Sequence, residues 1–242
     1  MNETTSINPS VPAMYTSVWV VIPAYNEQRG VREAVQQVQR YIPNVVVVDD
    51  CSKDHTSDEA LKGGAHVLRH PINRGQGAAL RTGMDYALQQ GADIIVHFDA
   101  DGQMQPEQIP HMIQPVIRGE ADIALGSRFL TQKSNIPPLR QMILKGGILF
   151  TRIISGLDLT DTHNGFRAMN RYAAEKIHIV QDRYSHASEI LDEIAKHKLR
   201  YVEVPVTVTY SDEAMAAARA RGQNSFNAIK IAGRVIWGKL LS

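Results

Sequence analysis

Short β-branched runs alternate along the chain with longer stretches of helical spacing. Val18, Val20, Val21 and Ile22 form an apolar run that breaks at Pro23, which reads as a buried strand opening into a loop. Over residues 26–41, Val31, Ala34, Val35 and Val38 recur three and four apart, one face of a helix. NVVVVDD (44–50) is apolar at four successive positions, a pattern a strand tolerates when both its faces are covered, as in a parallel sheet. A helix is predicted from about Asp54, a short strand at HVLRH (66–70), a helix over 74–91 and a strand within ADIIVHFDADG (92–102). Pro106 suits the first turn of a further helix, and ADIALGSRF (121–129) reads as one more strand. Strand–helix alternation with short connections predicts a doubly wound α/β sheet.

After residue 130 the alternation weakens. TQKSNIPPLR (131–140) reads as a loop, followed by a helix at about 140–156 and a turn entering a short strand at DTHNGFRAMN (161–170). A helix is predicted over 186–198. RYVEVPVTVTY (200–210) reads as an extended strand whose Pro205 favours an edge position. Residues 211–224 are polar and Ala-rich. Residues 225–242 are predicted to form a helix apolar nearly all round, with Lys230 and Lys239 at its flanks. Such a helix needs cover from its own domain, from a second copy in a homo-oligomer, or from an anionic membrane surface.

Composition narrows the classes. The chain has 242 residues, 43% hydrophobic, enough for one sizeable core. A formal net charge of +1 argues against a nucleic-acid partner. The single cysteine, Cys51, excludes an intramolecular disulfide and fits a reducing compartment. Residues 1–16 are polar, without the basic-then-apolar layout of a signal peptide, and are expected to form a disordered tail. No apolar run approaches the ~20 residues of a membrane-spanning helix. The expectation is a cytoplasmic protein, at most peripheral at the cytoplasmic face of a membrane.

The chemistry concentrates in VHFDADGQ (96–103). Asp99 and Asp101 lie one residue apart at a predicted strand end, where positions i and i+2 of an extended chain point the same way. Two like charges on one point call for a cation. Mg²⁺ or Mn²⁺ fits, taking one or two carboxylates and completing its shell with water and substrate phosphates. A helix–loop–helix calcium site is excluded, because Met104 and Pro110 stand where it needs Gly and Glu. NRGQGAAL (73–80) offers Gly75 and Gly77 before a helix but lacks the rest of a dinucleotide fingerprint.

VVIPAYNE, VVVVDDCSKDHT, NRGQGAALRTGMDYAL and DIIVHFDADGQ occur in that order. The set resembles the nucleotide-sugar-binding half of the family-2 glycosyltransferases, nearest the branch of dolichyl-phosphate mannosyltransferase and bacterial polyprenyl-phosphate glycosyltransferases. The resemblance spans roughly residues 17 to 225. It implies an α/β fold: a single Rossmann-like (GT-A type) domain over 17–224 with a central, mostly parallel sheet, its donor half at 17–130 and its acceptor half at 131–224. It also implies an inverting transfer from a nucleoside-diphosphate sugar to a polyprenyl-phosphate or glycan acceptor. Pro23, Ala24, Tyr25 and Glu27 would line the nucleoside pocket, continued by Asp49 and Asp50, one of which accepts from the base. Asp99 and Asp101 would carry the metal, with Gln103 beside them. Arg219 and Arg221 would cover the diphosphate.

On the acceptor side, Arg128 and Arg140 match the branch's arginines. Leu144 departs from its phosphate-binding Ser, leaving Lys145 as a substitute. His163 and Asn164 replace the usual Gln-Ser. A phosphate acceptor is already ionised and needs no base. For a hydroxyl acceptor Glu189 is the candidate base, with Asp192 second and His186 an orienting group. The alternatives from other classes are a non-catalytic sugar-nucleotide-binding module and an NAD-dependent oxidoreductase.

Overall fold

The uniformly apolar strands find cover on both faces. The computed structural model describes residues 15–130, 156–162, 164–180 and 186–209. Arg140, Lys145, Arg219, Arg221, the helices expected at 140–156 and 225–242 and most of the expected tail lie outside the described residues. In chain order the elements are β1 (Val18–Ala24), α1 (Val31–Gln39), β2 (Asn44–Asp49), α2 (Thr56–Lys62), β3 (His66–Arg69), α3 (Gln76–Gln89) and β4 (Ile94–His97). A 3₁₀ turn at Pro106–Gln108 leads into α4 (Ile109–Ile117), followed by β5 (Ile123–Ser127), β6 (Arg167–Asn170), α5 (Arg171–Lys176), α6 (His186–His197) and β7 (Tyr201–Pro205).

One core gathers Val18, Val20 and Ile22 of β1 and Val45 and Val47 of β2 under Val35 and Val38 of α1 and Met112 and Ile113 of α4. The second gathers Val21, Val46 and Val48 under Leu80 and Met84 of α3 and Ile190 and Ile194 of α6. Tyr15 is already buried in the first core, and its hydroxyl accepts from Gln114. The side-chain amide of Asn44 donates to the Thr16 and Val18 carbonyls, so the chain is anchored from there.

The strands form one sheet in the order β3-β2-β1-β4-β6-β5-β7. All neighbours run parallel except β6, which is antiparallel to both β4 and β5. The fold is thus α/β with a mostly parallel sheet, as the apolar strands predict. Pro205 closes the edge strand β7, where its missing N–H costs no ladder bond. β6 comes from the later part of the chain yet lies between β4 and β5, so the two halves share one sheet. The order reverses at β1, whose neighbours are β2 and β4. Crossovers leave β1 in opposite directions there, which opens a crevice beyond the carboxyl ends of β1 and β4, the usual ligand position in such sheets.

One expectation needs correction. β4 stops at His97, so Asp99 and Asp101 do not stand on an extended strand. Residues 100–102 form a turn, with Gly102 at φ +73°. The β4–β6 ladder ends with the His97–Arg167 pair, and the chain beyond it is free to curl.

Helix α3 sits unusually close to the sheet, because Gly83 faces β1. A Cβ there would stand 2.3 Å from Val21 Cγ1 and 3.2 Å from Val48 Cγ2. In an exposed helix Gly→Ala gains up to about 1 kcal/mol. Here overpacking against two β-branched side chains outweighs that gain. Gly83→Ala is expected to lower stability by about 1–3 kcal/mol in urea unfolding; a stabilised variant would show that α3 shifts freely.

Candidate active site

The rim of the crevice is two loops stitched to each other. The Asn26 N–H donates to Ser52 Oγ at 2.9 Å, and the Asn26 side-chain oxygen accepts from the Lys53 N–H at 2.9 Å. The Glu27 N–H reaches Thr56 Oγ1 at 2.8 Å, and the Asp50 N–H reaches the Ala24 carbonyl at 2.9 Å. Asn26 and Cys51 sit at φ +56° and +63°, left-handed backbone that non-glycine residues rarely adopt, so both loops turn sharply. Pro23 and Ala24 end β1, while Tyr25 and Glu27 remain partly exposed on the rim.

Asp49 and Asp50 face inward. Asp49 is fully buried and accepts from the Ser52 N–H and the Ser57 hydroxyl, with Arg69 3.7 Å away. Asp50, also buried, accepts from the backbone N–H of Arg74 at 2.9 Å and of Gly75 at 2.6 Å, and meets His70 Nδ1 at 2.8 Å. Both carboxylates hold loops, Asp50 the one that enters α3.

Asp99 lies at the floor, partly open to solvent but hemmed in by protein. Its Oδ1 accepts from Gln76 Nε2 at 3.0 Å, and its N–H points at the Met104 sulfur at 3.4 Å. Its Oδ2 lies 2.8 Å from where a Cβ on Gly165 would stand, so only glycine fits beneath it. Burial first, then the charge of Asp101, push the Asp99 carboxyl up to about 7, against the pull of Arg167 and the Gln76 hydrogen bond. Asp101 Oδ1 accepts from the Gln103 N–H at 3.1 Å. Despite the turn, the two carboxylates are close enough for the charge of Asp101 to raise the proton affinity of Asp99. Among the described residues no three His, Cys, Asp or Glu converge on a metal position. A carboxylate pair with nearby amides suits Mg²⁺ or Mn²⁺, which complete their shells with water and phosphate oxygens.

Arg167 stands in the DTHNGFRAMN segment that resembles the family, but the sequence assigns it no role. It is 2% exposed, stands opposite His97 across the β4–β6 ladder and interacts with both Asp99 and Asp161. Asp161 lies only a short stretch upstream, but Asp99 lies far away along the chain, so only the folded structure sets Arg167 between the two anions. Burial pushes its guanidinium down to about 10 despite those two anions. Burial, then Arg167 and His186, hold His97 well below its usual value, so a neutral imidazole faces the guanidinium. Arg128 is buried on Asp161, with Nε donating to Oδ2 and Nη2 to Oδ1, both at 2.6 Å. It is engaged inside the protein, joining β5 to the 156–162 segment. Glu189, on the first turn of α6, accepts from the Val180 N–H at 3.0 Å.

A doubly wound sheet with a carboxylate pair at its switch point is the arrangement of an α/β protein that binds a ligand beyond its strand ends. Residues 19–178 match glycosyl transferase family 2, and the chain belongs to that family. It is 32% identical to a UDP-N-acetylglucosamine–dolichyl-phosphate N-acetylglucosaminyltransferase of Methanococcus voltae, over 92% of this chain and 96% of the relative. It is 35% identical to an undecaprenyl-phosphate mannosyltransferase of Micrococcus luteus, over 78% of this chain and 82% of the relative. Its fold is similar to that of glucosyl-3-phosphoglycerate synthase from Mycobacterium tuberculosis in complex with Mg²⁺ and uridine diphosphate. That match has a TM-score of 0.63 at 19% identity, covering 79% and 69% of the two chains.

The crowding of Asp99 has a consequence for the metal-free protein. An unfolded Asp titrates near ~4, whereas the folded Asp99 titrates at about 7. Between those values the folded state binds more protons, so its stability falls as pH rises through that window. With EDTA present, Asp99→Asn is expected to unfold at a higher temperature than wild type at pH 8, the gap closing towards pH 4. A gap that does not change with pH would contradict this reading of the site.

Proposed function

We propose that the protein transfers a sugar, with inversion, from a nucleoside-diphosphate sugar to a polyprenyl-phosphate acceptor. The observation that carries the proposal is the Asp99–Asp101 pair at the crevice where the strand order reverses. Asp99 and Asp101, with Gln103 beside them, would hold Mg²⁺ or Mn²⁺. Bound there, the ion supplies positive charge for the diphosphate that departs. Tyr25 and Glu27 on the stitched rim receive the nucleoside, Tyr25 by its ring face and Glu27 by accepting from the ribose. Asp49 and Asp50 keep that rim in shape. Arg219 and Arg221 add guanidinium groups suited to phosphate oxygens.

The acceptor assignment draws on the dolichyl- and undecaprenyl-phosphate substrates in the names of the relatives. Arg140 and Lys145 take the acceptor phosphate. Arg128, engaged by Asp161, shapes the wall behind it. An ionised phosphate attacks without losing a proton, so no general base is needed. The bond from the Val180 N–H to Glu189 accords with a positioning role for that carboxylate. A lipid-borne acceptor requires the chain to work at a membrane surface, at the cytoplasmic face where nucleotide sugars are available. No helix among the described residues is long and apolar enough to cross a membrane.

The test supplies UDP-, GDP-, dTDP- and CDP-sugars, undecaprenyl phosphate in anionic vesicles, and Mn²⁺. One donor is expected to yield glycolipid, and EDTA to abolish its formation. Asp99→Asn and Asp101→Asn are expected to lower kcat by about 10³ or more while leaving the protein folded. Glu189→Gln should retain activity within about tenfold. A Glu189→Gln loss as deep as that of Asp99→Asn would favour a hydroxyl acceptor and Glu189 as its base. Undiminished transfer in EDTA would overturn the metal assignment.

A further inference from the structure

The floor of the crevice is held by a residue far from it in sequence. Gln76 is the first residue of α3, and its side-chain amide donates to Asp99 Oδ1 at 3.0 Å. Its backbone has little freedom to move. Gly75, just before it, sits at φ +96°, a conformation that residues with a Cβ rarely adopt. The N–H groups of Arg74 and Gly75 both donate to the Asp50 carboxylate. Asp50 is held in turn by His70, whose Nε2 meets Thr82 Oγ1 at 3.0 Å, further along the same helix. The corner that presents Gln76 is thus closed on itself, and Gly165 packs beneath the other oxygen of Asp99.

We propose that Gln76 is a positioning residue that fixes the cation-binding carboxylate of Asp99. The inference rests on the reading that Asp99 and Asp101 bind a divalent cation. A carboxamide is well suited to this role, since it favours the ionised carboxylate through a hydrogen bond yet carries no charge to repel an incoming cation. A lysine or arginine at this position would stabilise the anion but oppose the metal. The arrangement also links the nucleoside rim to the metal position. Asp50 holds the corner, the corner holds Gln76, and Gln76 holds Asp99, so displacement of the rim reorients the carboxylate.

The experiment titrates the full chain with Mn²⁺ alone, following free Mn²⁺ by its electron paramagnetic resonance signal. Gln76→Ala removes the side chain, while Gln76→Met keeps its length and bulk but cannot donate. The bond is present before the ion arrives, so its loss acts through the orientation of Asp99; losing a group that orients a metal ligand typically costs about 10–100-fold in metal affinity. Both variants are therefore expected to raise the Mn²⁺ dissociation constant about tenfold or more while keeping a cooperative thermal transition. Wild-type Mn²⁺ affinity in Gln76→Met would overturn the positioning role, since bulk alone would then suffice. Absence of Mn²⁺ binding by the wild-type protein would overturn the cation reading, and this inference with it.

Discussion

Two carboxylates one residue apart, in a crevice partly shielded from water, repel each other, and much of the site is arranged around that repulsion. Gln76 reaches Asp99 from the start of α3, and Arg167 faces it from β6. Beyond Arg167 lies Asp161, and beyond Asp161 lies Arg128, so charges alternate in sign from the crevice floor into the interior. Each buried charge meets an opposite one, without which its desolvation would be prohibitive. β6 lies between β4 and β5, a position that brings both Arg167 and the preceding Gly165 to Asp99.

The rim obeys a different rule. Backbone N–H groups there are answered by short side chains, Ser52, Asp54 and Thr56, rather than by a sheet ladder. Such bonds fix a loop without giving it an apolar core, and Ser52 and Thr56 are buried in making them. The division of labour is consistent. The sheet fixes where the strands end, and local polar bonds fix how the chain leaves them.

Much of this was readable from the amino-acid order, and the unreadable part has a common cause. Val45–Val48 announced a strand covered on both faces, and the alternation with helices announced the sheet. Asp99 and Asp101 stood out by spacing alone, although they meet through a turn rather than along a strand. Arg128 was readable as an acceptor-side arginine but its ion pair was not, because Asp161 lies well downstream in the chain. Gln76 and Arg167 lie within segments the sequence singles out, yet no role attaches to them until α3 and β6 converge on Asp99. Local patterns name the elements; long-range pairing decides which charges are engaged.

The interposed β6 bears on how the chain is made. At the moment Ser127 leaves the ribosome, both of the strands that β5 pairs with have yet to emerge, and one side of β4 has no neighbour. Until Asn170 emerges, the growing chain presents two apolar strands with open hydrogen-bonding edges, the form most prone to pair with another polypeptide. The strands β1 to β5 therefore do not make up a separable module. A fragment ending near residue 130 would keep that exposed state permanently, and a nascent chain passing through it depends on fast completion or on chaperone cover.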